Sequence, residues 1–176
     1  MKLTAKKQEG LTLLELLVVL AVASILLSVG VPSFRSVIMD NRMSDQSNAF
    51  MSSVNAARSA AVRYQRDATV CPMLDYEDAL PACEVTNDWS NGWIVWVDRN
   101  RDGIANADEI VSVQEPMDDS MTFQSVDATE IAFDARGFLT EGTDDLLMCD
   151  DRNGEEGRMI RITGIGRTDV ARQVCL

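Results

Sequence analysis

Histidine is absent from the 176 residues, which removes the usual general base near neutral pH and the commonest transition-metal ligand. Lysine is nearly absent too. The three present, Lys2, Lys6 and Lys7, all precede Gly10. No C-x₂₋₄-C pair occurs, so a thiolate metal site is not expected. A glycine-rich phosphate loop is missing, as is a nucleophile set beside a base, and the chain does not read as an enzyme. Repeats and low-complexity segments are also lacking. Positive charge is short overall: from Leu11 onward, without the lysines and Glu9, 13 arginines stand against 27 acids, a formal charge of −14. That balance argues against general nucleic-acid binding, because phosphate contacts need a basic face.

What the chain does have is one long apolar run. Leu11 to Val31 is 21 residues interrupted by a single acid, Glu15. As a helix it spans about 31 Å, the thickness of a bilayer's hydrocarbon core. The short basic segment before it stays on the cytoplasmic side and sends the rest across. A carboxylate within such a span costs about 3 kcal/mol and needs a reason. A secretory signal is a poor fit, since the run continues past the small residues Ala21-Val22-Ala23. A plain anchor has no use for Glu15.

Gly10 followed by Leu11-Thr12-Leu13-Leu14-Glu15 and an apolar helix ending near Pro32 resembles the class III signal of type IV prepilins and type II secretion pseudopilins. The resemblance implies cleavage after Gly10 by a prepilin peptidase and N-methylation of Leu11, where the family usually has Phe. It implies that Glu15 pairs with the N-terminus of a neighbouring subunit, so that two otherwise costly buried charges offset one another. Implied partners are other pilins or pseudopilins, the peptidase/N-methylase and an inner-membrane assembly platform. The implied location is a single-pass inner-membrane protein with a periplasmic head, later incorporated near the tip of a filament.

Beyond Pro32 the helical period continues. Phe34, Val37, Ile38, Phe50, Val54, Ala57 and Ala61 form one stripe, expected to be core. The pattern predicts a single helix from Leu11 to Tyr64, loosened at Pro32 where one backbone donor is lost. Strand candidates follow at Ala68–Cys71, Gly92–Asp98, Glu109–Gln114, Met121–Val126, Glu130–Asp134, Leu146–Cys149 and Arg158–Thr163, with a polar loop over 72–91. The fold class is α+β and pilin-like: a long N-terminal helix packed on an antiparallel β-sheet head. The organisation is a leader (1–10), a membrane and filament-core helix (11–31) and a head (32–176). The sequences around Ala60-Ala61-Val62-Arg63, Val70-Cys71-Pro72, Asn91-Gly92-Trp93-Ile94-Val95-Trp96-Val97-Asp98 and Gly166-Arg167 narrow the resemblance to the GspH/FimT group of minor pilins and pseudopilins.

Cys71, Cys83, Cys149 and Cys175 all lie beyond the span, in a compartment where disulfides persist. Of three possible pairings, Cys71–Cys83 closes a short loop and Cys149–Cys175 ties down the C-terminal end. These two are favoured, although spacing alone does not fix connectivity. Asp98-x-Asn100-x-Asp102-Gly103-x₅-Glu109 fits the calcium-loop pattern. Its donors would be Asp98, Asn100, Asp102, the Ile104 carbonyl, Asn106 and Glu109, and calcium is the one cofactor considered. The alternative is a hairpin connection whose Asp, Asn and Gly supply turn geometry. Some members of the group bind DNA through a C-terminal Gly-Arg-x-Arg element. Here Gly166-Arg167-Thr168-Asp169 replaces the second arginine with an acid, leaving Arg158, Arg161, Arg167 and Arg172 as a possible basic patch. Trp89, Trp93 and Trp96 are read as core and sheet surface in preference to a sugar platform.

Overall fold

A computed structural model describes residues 12–76, 81–141, 144–152 and 154–175. Helix α1 runs from Leu13 to Tyr64 and is followed by nine strands. These are β1 (Ala68–Pro72), β2 (Trp93–Val97), β3 (Ile110–Gln114), β4 (Met121–Ser125), β5 (Ile131–Phe133), β6 (Leu139–Glu141), β7 (Asp145–Asp150), β8 (Gly154–Ile162) and β9 (Thr168–Cys175). They form two antiparallel sheets, ordered β3-β2-β1-β5-β6 and β4-β7-β8-β9. All seven predicted strands are present within a few residues of their expected ends. Two more, β6 and β9, were not anticipated: their side chains are mostly exposed, so neither carries the apolar alternation that marks a half-buried strand.

Two compact units divide the chain, Met1–Met39 and Asp40–Leu176. Within the first, α1 is apolar on every side from Leu16 to Val31. Three of its serines are satisfied internally: the hydroxyls of Ser24, Ser28 and Ser36 donate to the carbonyls of Ala21, Ile25 and Ser33 at 2.8, 2.8 and 2.9 Å. Such back-bonding lets a hydroxyl sit in an apolar span without an orphaned donor. The loosening expected at Pro32 does not end the helix, which continues unbroken because a single missing donor leaves the neighbouring bonds intact. Phe34, Val37 and Ile38 were expected in the core stripe but are exposed. They precede the residues that meet the head.

In the second unit the stripe is real, but it begins at Met43, later than the expected start at Phe34, and it includes Met43 and Ser47, which the expected stripe left out. Met43, Ser47, Phe50, Val54, Ala57 and Ala61 are all buried, at alternating steps of four and three that keep one helical face inward. The Ser47 hydroxyl, buried among apolar side chains, donates to the Met43 carbonyl at 2.7 Å. Phe50 occupies the centre. Its ring meets Trp89, Trp93 and Phe123 edge-on, with centroids 5.5, 5.2 and 4.8 Å away, the arrangement that ring quadrupoles favour. Val70 and Val95 from the first sheet and Phe123, Leu146, Met148 and Ile160 from the second complete this core. A smaller cluster, Cys71, Met73, Ile94 and Trp96, lies apart from it. Trp89 and Trp93 are fully buried and Trp96 nearly so, which makes them core residues and leaves no sugar platform.

Candidate functional site

The apolar run and its acid come first. Gly10 and Leu11, the predicted processing residues, lie outside the described residues. Thr12 accepts the backbone N–H of Glu15 on its hydroxyl at 3.2 Å, the bond of a helix N-cap. Glu15 therefore stands in the first turn of α1, where a negative charge is favoured by the helix dipole. On either side of it Leu13, Leu17, Leu20, Leu26, Val29 and Phe34 are each more than half exposed. This helix is long and apolar enough to cross a membrane. Covering those side chains requires lipid or other helices.

Next is the connection from β2 to β3, which carries the predicted calcium ligands. Carboxylate oxygens of Asp98, Asp102 and Glu109 lie within 4.8 Å of one another. The loop already supplies donors to each of them. Asp98 accepts the amides of Arg101 and Gly103 at 2.6 and 3.2 Å. Asp102 accepts the Ile104 amide at 2.9 Å and the side-chain amides of Asn100 and Asn106 at 2.8 and 3.1 Å. Glu109, only 3% exposed, accepts the Arg99 and Asn100 amides on one oxygen at 2.7 and 3.1 Å. Its other oxygen takes the amide and side-chain nitrogen of Asn106 at 3.4 and 3.0 Å. Gly103 turns the chain at φ +72°, a value that L side chains rarely adopt.

The electrostatics follow from these bonds. The Ile104 amide, helped by Asn106 and Asn100, holds Asp102 below the usual carboxylate range, against an opposing effect of desolvation. Burial pushes Glu109 upward, but the combined donors of Asn106, Asn100 and Arg99 outweigh it, and its proton affinity also falls. Of the six predicted ligands, the carboxylates of Asp98, Asp102 and Glu109 come together, while Asn100 and Asn106 turn their side-chain nitrogens toward Asp102 and Glu109. Three carboxylates and flanking carbonyls are suited to a hard cation; the same bonds also close the turn unaided. Glu109 as a buried clasp for the loop went unrecognised in sequence, its one signal being the acid immediately before a strand.

The predicted arginine cluster is divided, with Arg158 and Arg172 kept together as cross-strand partners and Arg161 set apart from them. Arg158 and Arg161 are three residues apart on β8, so the two-residue strand period sends them to opposite faces. Arg161 is bound by both oxygens of Asp145 at 2.7 and 2.9 Å and sits opposite Asp169 of β9. This rung alternates in charge and offers no net positive surface. Arg172 is opposite Arg158, while Arg167 lies in the β8–β9 turn.

Both favoured disulfides are present, Cys71–Cys83 and Cys149–Cys175. The second passes over β8. Register places Gly157 beside this crossing, and a Cβ there would come within 2.5 Å of the Cys175 sulfur. Arg152, one turn beyond Cys149, binds Asp150 and reaches Asp40 of α1 at 3.1 Å.

Comparison with known proteins agrees with this arrangement. Residues 46–166 match the family model described as type II transport protein GspH, and residues 5–31 match the prokaryotic N-terminal methylation motif. No curated protein matches. Among solved structures, the type IV minor pilin FimU of Pseudomonas aeruginosa is similar in two crystal forms. One aligns at a TM-score of 0.52 with 18% identity, covering 74% of this chain and 89% of that one. The other gives 0.51 and 17%, with 70% and 88% covered. At such identity the likeness concerns the fold. With a family match over more than half its length and the methylation motif ahead of it, the chain belongs to the GspH family of pilin-like proteins.

Proposed function

We propose that this chain is a minor pilin, stored in the inner membrane by α1 and recruited into a type IV pilus that it helps to initiate or cap. The observation that carries the reading is the apolar surface of α1 from Leu13 to Val31 with its one acid, Glu15, joined to a disulfide-tied head. Processing after Gly10 creates a new amine at Leu11. Glu15 then pairs with the corresponding amine of a neighbouring subunit and sets the axial register, while the exposed leucines and valines pack against other helices. The role is structural. The head, strongly acidic and with its C-terminal arginines divided so that Arg161 stands apart from the Arg158 and Arg172 pair, is suited to assembly more than to DNA capture.

The runner-up is a minor pseudopilin of the type II secretion system, favoured by the family description itself. An in-frame deletion separates the two. Loss of surface pili and twitching with normal protein secretion supports the pilus. Loss of secretion with normal pili transfers the assignment to the pseudopilus. Complementation with Glu15→Leu should restore neither pili nor secretion, although the chain still enters the membrane. Full rescue by Glu15→Leu would remove the register role.

A further inference from the structure

Sheet edges show where another chain can add a strand, and among the described residues three of the four edges here are protected. On β4 the outer side is occupied by residues 87–90: Trp89 donates to the Phe123 carbonyl at 2.7 Å and Ser125 to the Asn87 carbonyl at 2.9 Å. At β6 the edge is three residues long and ends in Glu141. Strand β9 carries Asp169 and Arg172. Short strands, charges and covering segments are how proteins keep edges from pairing. Strand β3, Ile110-Val111-Ser112-Val113-Gln114, has no charge at all. Val111 and Val113 are 44% and 40% exposed.

Alongside β3 runs a groove between this edge and α1. It consists of two clefts, about 440 and 280 Å³, that share Ala56. The smaller is lined by Ala49, Ser52 and Ser53 facing Ser112 and Gln114, with no charged side chain. At the far end of the larger, Arg99 is paired with Asp108 at 3.0 Å and Glu109 is held by its own loop. Arg63 remains there, exposed, 5.4 Å from the Tyr64 ring, with no ion pair among the described residues.

We infer that β3 is a docking edge for an extended segment of a different polypeptide. The segment adds as a further strand, places small uncharged side chains in the groove over Ala56, and ends in an acid beside Arg63. Main-chain groups along an open edge are best satisfied by another strand, and alternate side chains of that strand read the groove. A second copy of this chain is the poorer occupant. Pairing two β3 edges antiparallel about a two-fold axis reverses the direction of α1, whereas helices inserted into one membrane by the same basic flank run the same way. The inference concerns the head and holds for a pilus or a pseudopilus alike.

The test uses the full-length chain in detergent. Its probe is a blocked hexapeptide of alternating threonine and valine ending in aspartate, titrated to about 1 mM. Expected are saturable binding and slowed amide exchange at Val111 to Val113. Ala56→Phe, which fills the groove, and Val113→Lys, which charges the edge, should each weaken binding about tenfold or more. Val174→Lys on β9 should leave it unchanged. Replacing the peptide's aspartate by asparagine should weaken binding to the native chain but not to Arg63→Ala. No saturable binding, equal binding by Ala56→Phe and Val113→Lys, or protection at β9 instead of β3 would overturn the proposal. So would dimerisation of the peptide-free chain through β3.

Discussion

The two parts of α1 are built for different surroundings. From Leu13 to Val31 the helix is apolar all round apart from Glu15, and its large side chains are exposed. From Asp40 to Tyr64 the apolar residues narrow to one stripe and arginines, aspartates and serines take the other side. A helix hydrophobic on all faces requires lipid or other helices around it, whereas an amphipathic one requires a single packed side. The change in pattern therefore records a change of solvent within one uninterrupted element.

Substitutions at matched aromatic positions sharpen this contrast most. Phe50→Ala should lower the stability of the full-length chain in detergent by about 4 kcal/mol, since it empties the centre of the aromatic cluster. Phe34→Ala should shift it by no more than about 0.5 kcal/mol, while still impairing assembly. Thermal melts compare the two; equal losses would erase the distinction between the halves. The covalent ties come next. Replacing both Cys149 and Cys175 by serine should cost about 3.5 kcal/mol on the loop-entropy account, and the Cys71–Cys83 pair about 3. Denaturant midpoints with unchanged slopes would check both.

Smaller effects are expected at the β2–β3 loop. Glu109→Ala orphans buried amides and should destabilise by about 2 kcal/mol. Because the loop closes with its own donors, calcium added to about 1 mM should leave the native melting temperature where it is. A rise abolished by Asp102→Ala would assign a cation to the loop. Smallest is the effect of pH. Asp102, Glu109, Asp134, Asp145 and Asp150 all have lowered proton affinity in the folded chain. The folded state then binds fewer protons than the unfolded one. Their contribution is present above the unfolded carboxylate range, about pH 4, and is lost as pH falls through the lower folded values. With no histidine, melting should stay level from about pH 8 to 5 and decline below about 4. A transition near pH 6 would contradict this.

Much of this architecture is visible in residue order because it depends on local pattern. The three-and-four spacing from Phe50 to Ala61 marked the packed helix, and Met43 and Ser47 could have been added by stepping back seven and three from Phe50. Strand β2 announced itself through Trp93-Ile94-Val95-Trp96-Val97. Both disulfides fell to the shortest pairings. Less visible were features created by register. Residues 87–90 pair along β4 without any strand-like composition, and the four C-terminal arginines look clustered until strand alternation separates Arg158 from Arg161. Glu109 reads in sequence as a calcium ligand, and its burial as the acceptor of loop amides follows from how the hairpin folds back on itself.

The Cys149–Cys175 bridge also has a mechanical meaning. A pull on the last residues of β9 is borne first by a covalent bond to β7 and not by the β8–β9 hydrogen-bond ladder. From Cys149 the load passes to Asp150, through Arg152, and into α1 at Asp40. The end of the chain is thereby fastened to the helix by a short route that bypasses most of the head, and Gly157 lacks a side chain so that this fastening can close.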